Sequence, residues 1–153
     1  MKEQVSKIDH KNSSNSKYFE EVSVLRDIIN EANKTIQTET KKISQYQNKI
    51  ERNQSTIYSN DSLIQNKTDL ISFMNDSVTN NSTPENNYEK EYNKRYIKLG
   101  KKNINLEESI NYLNYQIMIS KNNIKKAYET KCRSRQKIER LMRKINKNNR
   151  QSK

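Results

Sequence analysis

The sequence predicts an all-α protein whose two long helices form an antiparallel coiled-coil hairpin, and three observations carry that expectation. Seven isoleucines stand at unbroken seven-residue intervals, Ile29, Ile36, Ile43, Ile50, Ile57, Ile64 and Ile71, with Val22 and Val78 extending the row by one step at each end. A heptad row of this kind is what a coiled-coil seam requires. A single glycine, Gly100, and a single proline, Pro84, occur in 153 residues, whereas compact folds with many turns use both repeatedly. Hydrophobic residues make up 30% of the chain and charged residues 31%, too polar for a thick core but sufficient for helices that bury narrow stripes.

Residues 1–17 carry Ser, Asn and Lys without a period and read as a disordered polar tail. From residue 18 to 78 the isoleucine row meets no breaker, which predicts a helix of about 60 residues and ~90 Å at ~1.5 Å rise per residue. The polar run from Asp76 to Asn87 supplies the connector, with the turn at 79–85. Within it, Ser82-Thr83-Pro84-Glu85 offers a capped helix start with proline in the first turn. The second helix, 86–148, has one row of Ile110, Ile117, Ile124, Ile138 and Ile145 and another of Tyr92, Leu99, Leu106, Leu113, Ala127 and Leu141. These are a and d positions. Lys131 interrupts the first row while Ser120 and Ser134 thin the second, so the seam is expected to weaken toward its C-terminal half. Gly100 reads as a tolerated exposed glycine in preference to a hinge, and residues 149–153 as a short basic tail.

Two helices of near-equal length joined by a short polar connector fold back most simply as a hairpin. With the pivot between Asn81 and Ser82, the facing layers are Ile36/Ala127, Ile43/Ser120, Ile50/Leu113, Ile57/Leu106 and Ile64/Leu99. Isoleucines then meet small residues in one half and leucines in the other, as interdigitation requires. The companion row of the first helix is mostly polar, Glu39, Tyr46, Asn53, Asn60 and Lys67. Such a hairpin buries little, and a partner or self-association is the expected remedy.

The net charge of +12 is concentrated at one end. Residues 121–153 hold eight lysines and five arginines against Glu129 and Glu139, a net +11. Lys126, Arg133, Lys137, Arg140, Lys144 and Lys147 recur at intervals of seven, four, three, four and three, which sets them on one helical face beside the seam. This stripe is the candidate partner-binding surface, and an acidic protein surface is the expected partner. Nucleic acid is the second candidate, because such a stripe can neutralise phosphates, but no base-stacking platform or reading motif accompanies it. An anionic membrane surface comes third, weakened by the lack of a Trp/Phe insertion set on the opposite face. The bland alternative is a solvated face that keeps a long polar rod soluble.

Other function classes find little support. The longest run of aliphatic or Met residues is Ile117-Met118-Ile119 and the N-terminus is polar, so neither a membrane span nor a signal peptide is expected and a cytoplasmic location follows. One cysteine and one histidine make neither an internal disulfide nor a zinc site, and no cofactor is expected. Triplets such as Asn66-Lys67-Thr68 and Asn81-Ser82-Thr83 are incidental sequons of an Asn-rich chain. Catalysis needs groups that converge in a pocket, and Glu107-Glu108 lies along a solvent face, so no enzymatic activity is expected. Cys132, beside Lys131 and Arg133, reads as an ordinary exposed cysteine in preference to a redox centre. Lys131-Cys132-Arg133-Ser134-Arg135 resembles a fragment of a leucine-zipper basic region. Yet Lys125, Tyr128 and Glu129 stand where that family places its asparagine and alanines, and only 18 residues follow Arg135.

The plan of two near-equal helices, a polar turn and a basic final stretch, with Tyr46-Gln47 inside the first helix and Lys/Arg-rich residues from Lys121 to Arg143, resembles the FliJ family. These are central-stalk proteins of flagellar and type III secretion export gates, and the likeness covers about residues 18–148. It implies a hairpin inserted in the central hole of a hexameric ATPase and linking that ring to a membrane-anchored export gate, with the basic face against acidic residues. The Asn-rich tail before Tyr18 is longer than the resemblance calls for. The rival expectation is a coiled-coil subunit of a eukaryotic assembly such as a kinetochore, a spindle pole or meiotic chromosomes, and a third is a nucleic-acid-binding coiled coil.

Overall fold

A computed structural model of the chain describes residues 2–77 and 85–151, with side chains described over 15–66 and 90–151. Two helices account for all of them, α1 (Lys2–Ser77) and α2 (Glu85–Gln151), packed against each other as a helical hairpin without any strand among the described residues. Val78 and the Ser82-Thr83-Pro84 cap lie outside the described residues, as do the side chains of Lys67 and Ile71.

Beside the turn, α1 ends at Ser77 and α2 begins at Glu85. α1 is helical from Lys2, where a polar tail through residue 17 was expected, and α2 continues to Gln151. Residues 2–17 contain no proline or glycine; the missing apolar period removes a core stripe without removing helix propensity. Asn15, seven residues before Val22, already lies on the seam and bonds across to α2.

The chain forms two compact units, Met1–Lys42 with Ile119–Lys153, and Ile43–Met118. In the first, the less exposed side of α1 reads Asn15, Tyr18, Val22, Leu25, Ile29 and Ala32, alternately three and four residues apart. The matching side of α2 reads Ala127, Lys131, Ser134, Ile138, Leu141 and Ile145. Val22 and Ile145 are the most enclosed, each 2% exposed. Asn148 Nδ2 donates to Asn15 Oδ1 at 3.1 Å, and Asn15 Nδ2 donates to Asn149 Oδ1 at 3.2 Å. Asn15 and Asn148 are equidistant from the Asn81/Ser82 pivot, so this unit is antiparallel in the expected register.

The seam does not weaken here as expected. Leu141 and Ile145 are buried, and so are Ala32, Ala127, Ser120 and Ser134. Small side chains allow a close approach of the two helices, so a thinned row packs where large residues alone would have held the helices apart. Lys131 stays half-buried in the row, with its Nζ 5.9 Å from the centre of the Tyr128 ring. That leaves its stem in the seam and its charge over an aromatic face.

In the second unit Leu113 and Ile117 are buried, while Ile43, Ile50, Ile57, Ile64, Leu99, Leu106 and Ile110 are half-buried. Polar seam positions are filled by bonds between the helices. Asn60 Nδ2 donates to Asn103 Oδ1 at 2.9 Å, and Asn103 Nδ2 donates to Asp61 Oδ1 at 2.8 Å. Asn53 Nδ2 donates to Ser109 Oγ at 3.3 Å, and the Tyr96 hydroxyl donates to the Ile64 carbonyl at 2.8 Å. Asn60 and Asn103 are again equidistant from the pivot, and slipping either helix by one heptad would leave the buried Asn103 amide without these partners. Gly100 is half-buried, and a Cβ added there would meet nothing within 4 Å, so no contact among the described residues requires a glycine.

Leu113→Asp should destabilise the protein by about 3 kcal/mol or more, because it buries a charge in the seam, whereas Ser44→Asp, on an exposed position, should stay within about 0.5 kcal/mol. Thermal melts followed by circular dichroism measure the difference, and equal effects would mean that the heptad row is not a packed core.

Candidate interaction surface

The six cations of the stripe all lie in the first unit, on the stretch of α2 whose seam side is fixed by Ala127, Ser134, Leu141 and Ile145. At ~100° per residue, Lys126, Arg133, Lys137, Arg140, Lys144 and Lys147 fall within an arc of roughly 80° beside that seam. All six are exposed. Among the described residues the stripe's ion pair is Arg133 with Glu129 on the same helix, 3.8 Å apart and well solvated, an arrangement that contributes little. Lys144 Nζ lies 5.7 Å from the Tyr18 ring centre. Lys126, Lys137, Arg140 and Lys144 line grooves between α1 and α2.

Helix pairing adds what the stripe alone does not contain, a facing wall of opposite sign. A groove of about 610 Å³ sets Lys137, Arg140 and Lys144 of α2 against Glu20 and Glu21 of α1, with Lys17 beside them on the α1 wall and Leu25 and Leu141 between the walls. A second groove, of about 540 Å³, sets Lys126 against Asp27 and Glu31. Val24 lines both and Ile28 the second, and both side chains are exposed. Glu31 also receives a bond from Lys34 Nζ at 3.2 Å on its own helix. The face therefore presents cations on one wall, four carboxylates and Lys17 on the other, and exposed aliphatic groups between them. Nothing in the sequence read linearly reveals that wall, because Glu20, Glu21, Asp27 and Glu31 join the stripe only when α1 lies antiparallel to α2.

One polar group of the seam was visible in the sequence only as a thinning of the core. Glu39 is 8% exposed and its carboxyl is held below the ordinary value of 4.5, chiefly by the Ser120 hydroxyl that bonds to it. Burial opposes this shift, while the Lys42 charge and bonds from Lys42 and Asn123 add to it. Lys42 Nζ stands 3.4 Å from Glu39 Oε1. Ser120, expected only as a small residue opposite Ile43, thus serves as the donor that lets a carboxylate occupy the seam. The signal for it was the polar residue in a heptad row with a lysine three positions on and a serine across the pair.

The other named residues fall as follows. Cys132 is exposed, with Gln136 Nε2 at 3.9 Å from its sulfur, and Glu107 and Glu108 are exposed. Among the described residues no helix is long and apolar enough to cross a membrane. No protein-family model, curated protein or solved structure matches the chain.

Because the folded-state Glu39 carboxyl titrates below its ordinary value, its stabilising contribution is complete above about pH 4.5 and is lost as pH falls through the folded-state value. Melting temperatures measured from neutral to acid pH should fall more steeply for the wild-type protein than for Glu39→Gln. Parallel curves for the two proteins would remove Glu39 as a source of acid sensitivity.

Proposed function

We propose that the chain is a non-enzymatic coiled-coil stalk or scaffold subunit of a multi-protein machine, held in that machine through the cationic face of its first unit. The observation that supports this reading is the exposed row of Lys126, Lys137, Arg140 and Lys144 running along grooves whose floor includes exposed Val24 and Ile28. Desolvated apolar contact supplies affinity, and the charged walls supply orientation and rate of encounter. The partner is an acidic protein surface with an apolar ridge that fits between the walls.

The hairpin architecture and the basic C-terminal stretch favour, within that class, a central stalk that links a type III export ATPase to its gate. A eukaryotic coiled-coil assembly is the rival within the same class. Glu20, Glu21, Asp27 and Glu31 weigh against nucleic acid, because carboxylates on the facing wall repel the phosphates that the stripe would attract.

Reversing Lys137, Arg140 and Lys144 to Glu should leave helicity intact and weaken capture of the native partner at least about tenfold, and raised salt should mimic the change in the wild-type protein. Partners recovered from native cells with the wild-type chain and lost with the variant, identified by mass spectrometry, should be proteins that competing DNA displaces only feebly. Unchanged capture by the variant would leave the stripe as a solubility device, and efficient displacement by DNA would favour the nucleic-acid reading.

A further inference from the structure

The second unit carries a second heptad row that the seam does not use. On α2, residues 97, 101, 104, 108, 111, 115 and 118 are spaced alternately four and three apart, as the seam residues are. At ~100° per residue they lie roughly half a turn around the helix from Leu99, Leu106 and Leu113. The row reads Ile97, Lys101, Ile104, Glu108, Asn111, Tyr115 and Met118. Its four large apolar members are open to water, Ile97 at 58%, Ile104 at 54%, Tyr115 at 55% and Met118 at 51% exposure. Single exposed apolar residues are ordinary on a protein surface, but an aligned row ~32 Å long is a binding face.

We infer that this face is an antiparallel self-association surface, on which α2 of a second copy of the chain packs about a two-fold axis. The charges select that occupant and its direction. Lys101 and Glu108 lie in one line along the row, so a parallel pair would stack lysine on lysine and glutamate on glutamate. An antiparallel pair centred between Ile104 and Glu108 sets Ile97 opposite Tyr115 and brings Lys101 within a turn of Glu108 of the other copy, twice by symmetry. Within the row from Ile97 to Met118 the two charges balance, while Lys94, Lys98 and Lys102 beside it leave this stretch net basic, which keeps the self-association weak and salt-dependent. Gly100 flanks the row between Ile97 and Ile104, where no contact among the described residues requires a glycine, and its missing side chain permits a neighbouring backbone to come close. A contact of one helix face is small, so the dimer is concentration-dependent rather than permanent. It is separate from the cationic face and stands or falls without it.

Sedimentation equilibrium of the full chain in a Cys132→Ser background tests this. A monomer–dimer equilibrium is expected, abolished by Ile104→Glu with helicity unchanged. Lys101→Glu and Glu108→Lys should each weaken the dimer at least about tenfold by setting like charges together, and the double swap should restore it. Mixed single-cysteine chains, Ile97→Cys with Tyr115→Cys, should form the mixed disulfide in preference to either symmetric one. A chain that stays monomeric up to millimolar concentration, a dimer indifferent to Ile104→Glu, or preferential cross-linking of position 97 to position 97 would each overturn the inference.

Discussion

Each helix of this chain has one narrow row to bury, and the fold depends on those two rows meeting in register. With 30% hydrophobic residues there is no second layer to compensate for a slip, so every position along the row must be filled by something that tolerates burial. Isoleucine and leucine fill about half of them. At several polar ones the facing helix supplies a partner: Asn15 with Asn148, Asn60 with Asn103, and Glu39 with Ser120. Hydrogen bonds of this kind contribute modestly when made and cost more when left unmade. Their main effect is therefore on register rather than on affinity between the helices. A slip of one heptad would keep many isoleucines against aliphatic residues, yet it would set Asn148 opposite Ile8 or Val22 in place of Asn15.

The same economy shapes the surfaces. A helix that gives one row to its partner leaves the rest of its circumference to water, so long faces of consistent character can persist along it. In the first unit this yields cations of α2 facing carboxylates of α1 across grooves with aliphatic floors. In the second it yields an outward apolar row on α2. The first face takes a partner by charge and shape, the second by matching itself.

Much of the fold was legible because the heptad row is a direct imprint of packing: Ile29 to Ile64 and Leu99 to Ile145 sit where their spacing places them, and the pivot read from equal arms gives the register of both units. The limits of the reading have physical causes. A polar segment without a period reads as a tail, although the backbone from Lys2 is helical, because hydrophobic pattern reports burial and not helicity. Ser120 and Ser134 read as losses, although both are buried in the seam, where small side chains are compatible with close packing. The candidate surface was half legible: the stripe's spacing shows in α2 alone, whereas its acidic wall comes from residues about a hundred positions away. Glu39 was visible as a polar intrusion, but the lowered pKa depends on a hydroxyl from the other helix.

The central claim is that α1 and α2 of one chain lie side by side and antiparallel. The most direct measurement is the distance between spin labels on introduced cysteines at Gln37 and Lys126, both exposed and both in the first unit, with Cys132 replaced by serine and the labelled chain diluted into unlabelled chain. Packed helices with axes ~8–10 Å apart place such labels roughly 20 Å from each other within one molecule. A narrow distribution near that value is the expected result, and an intramolecular separation beyond about 40 Å, twice that expectation, would contradict the account.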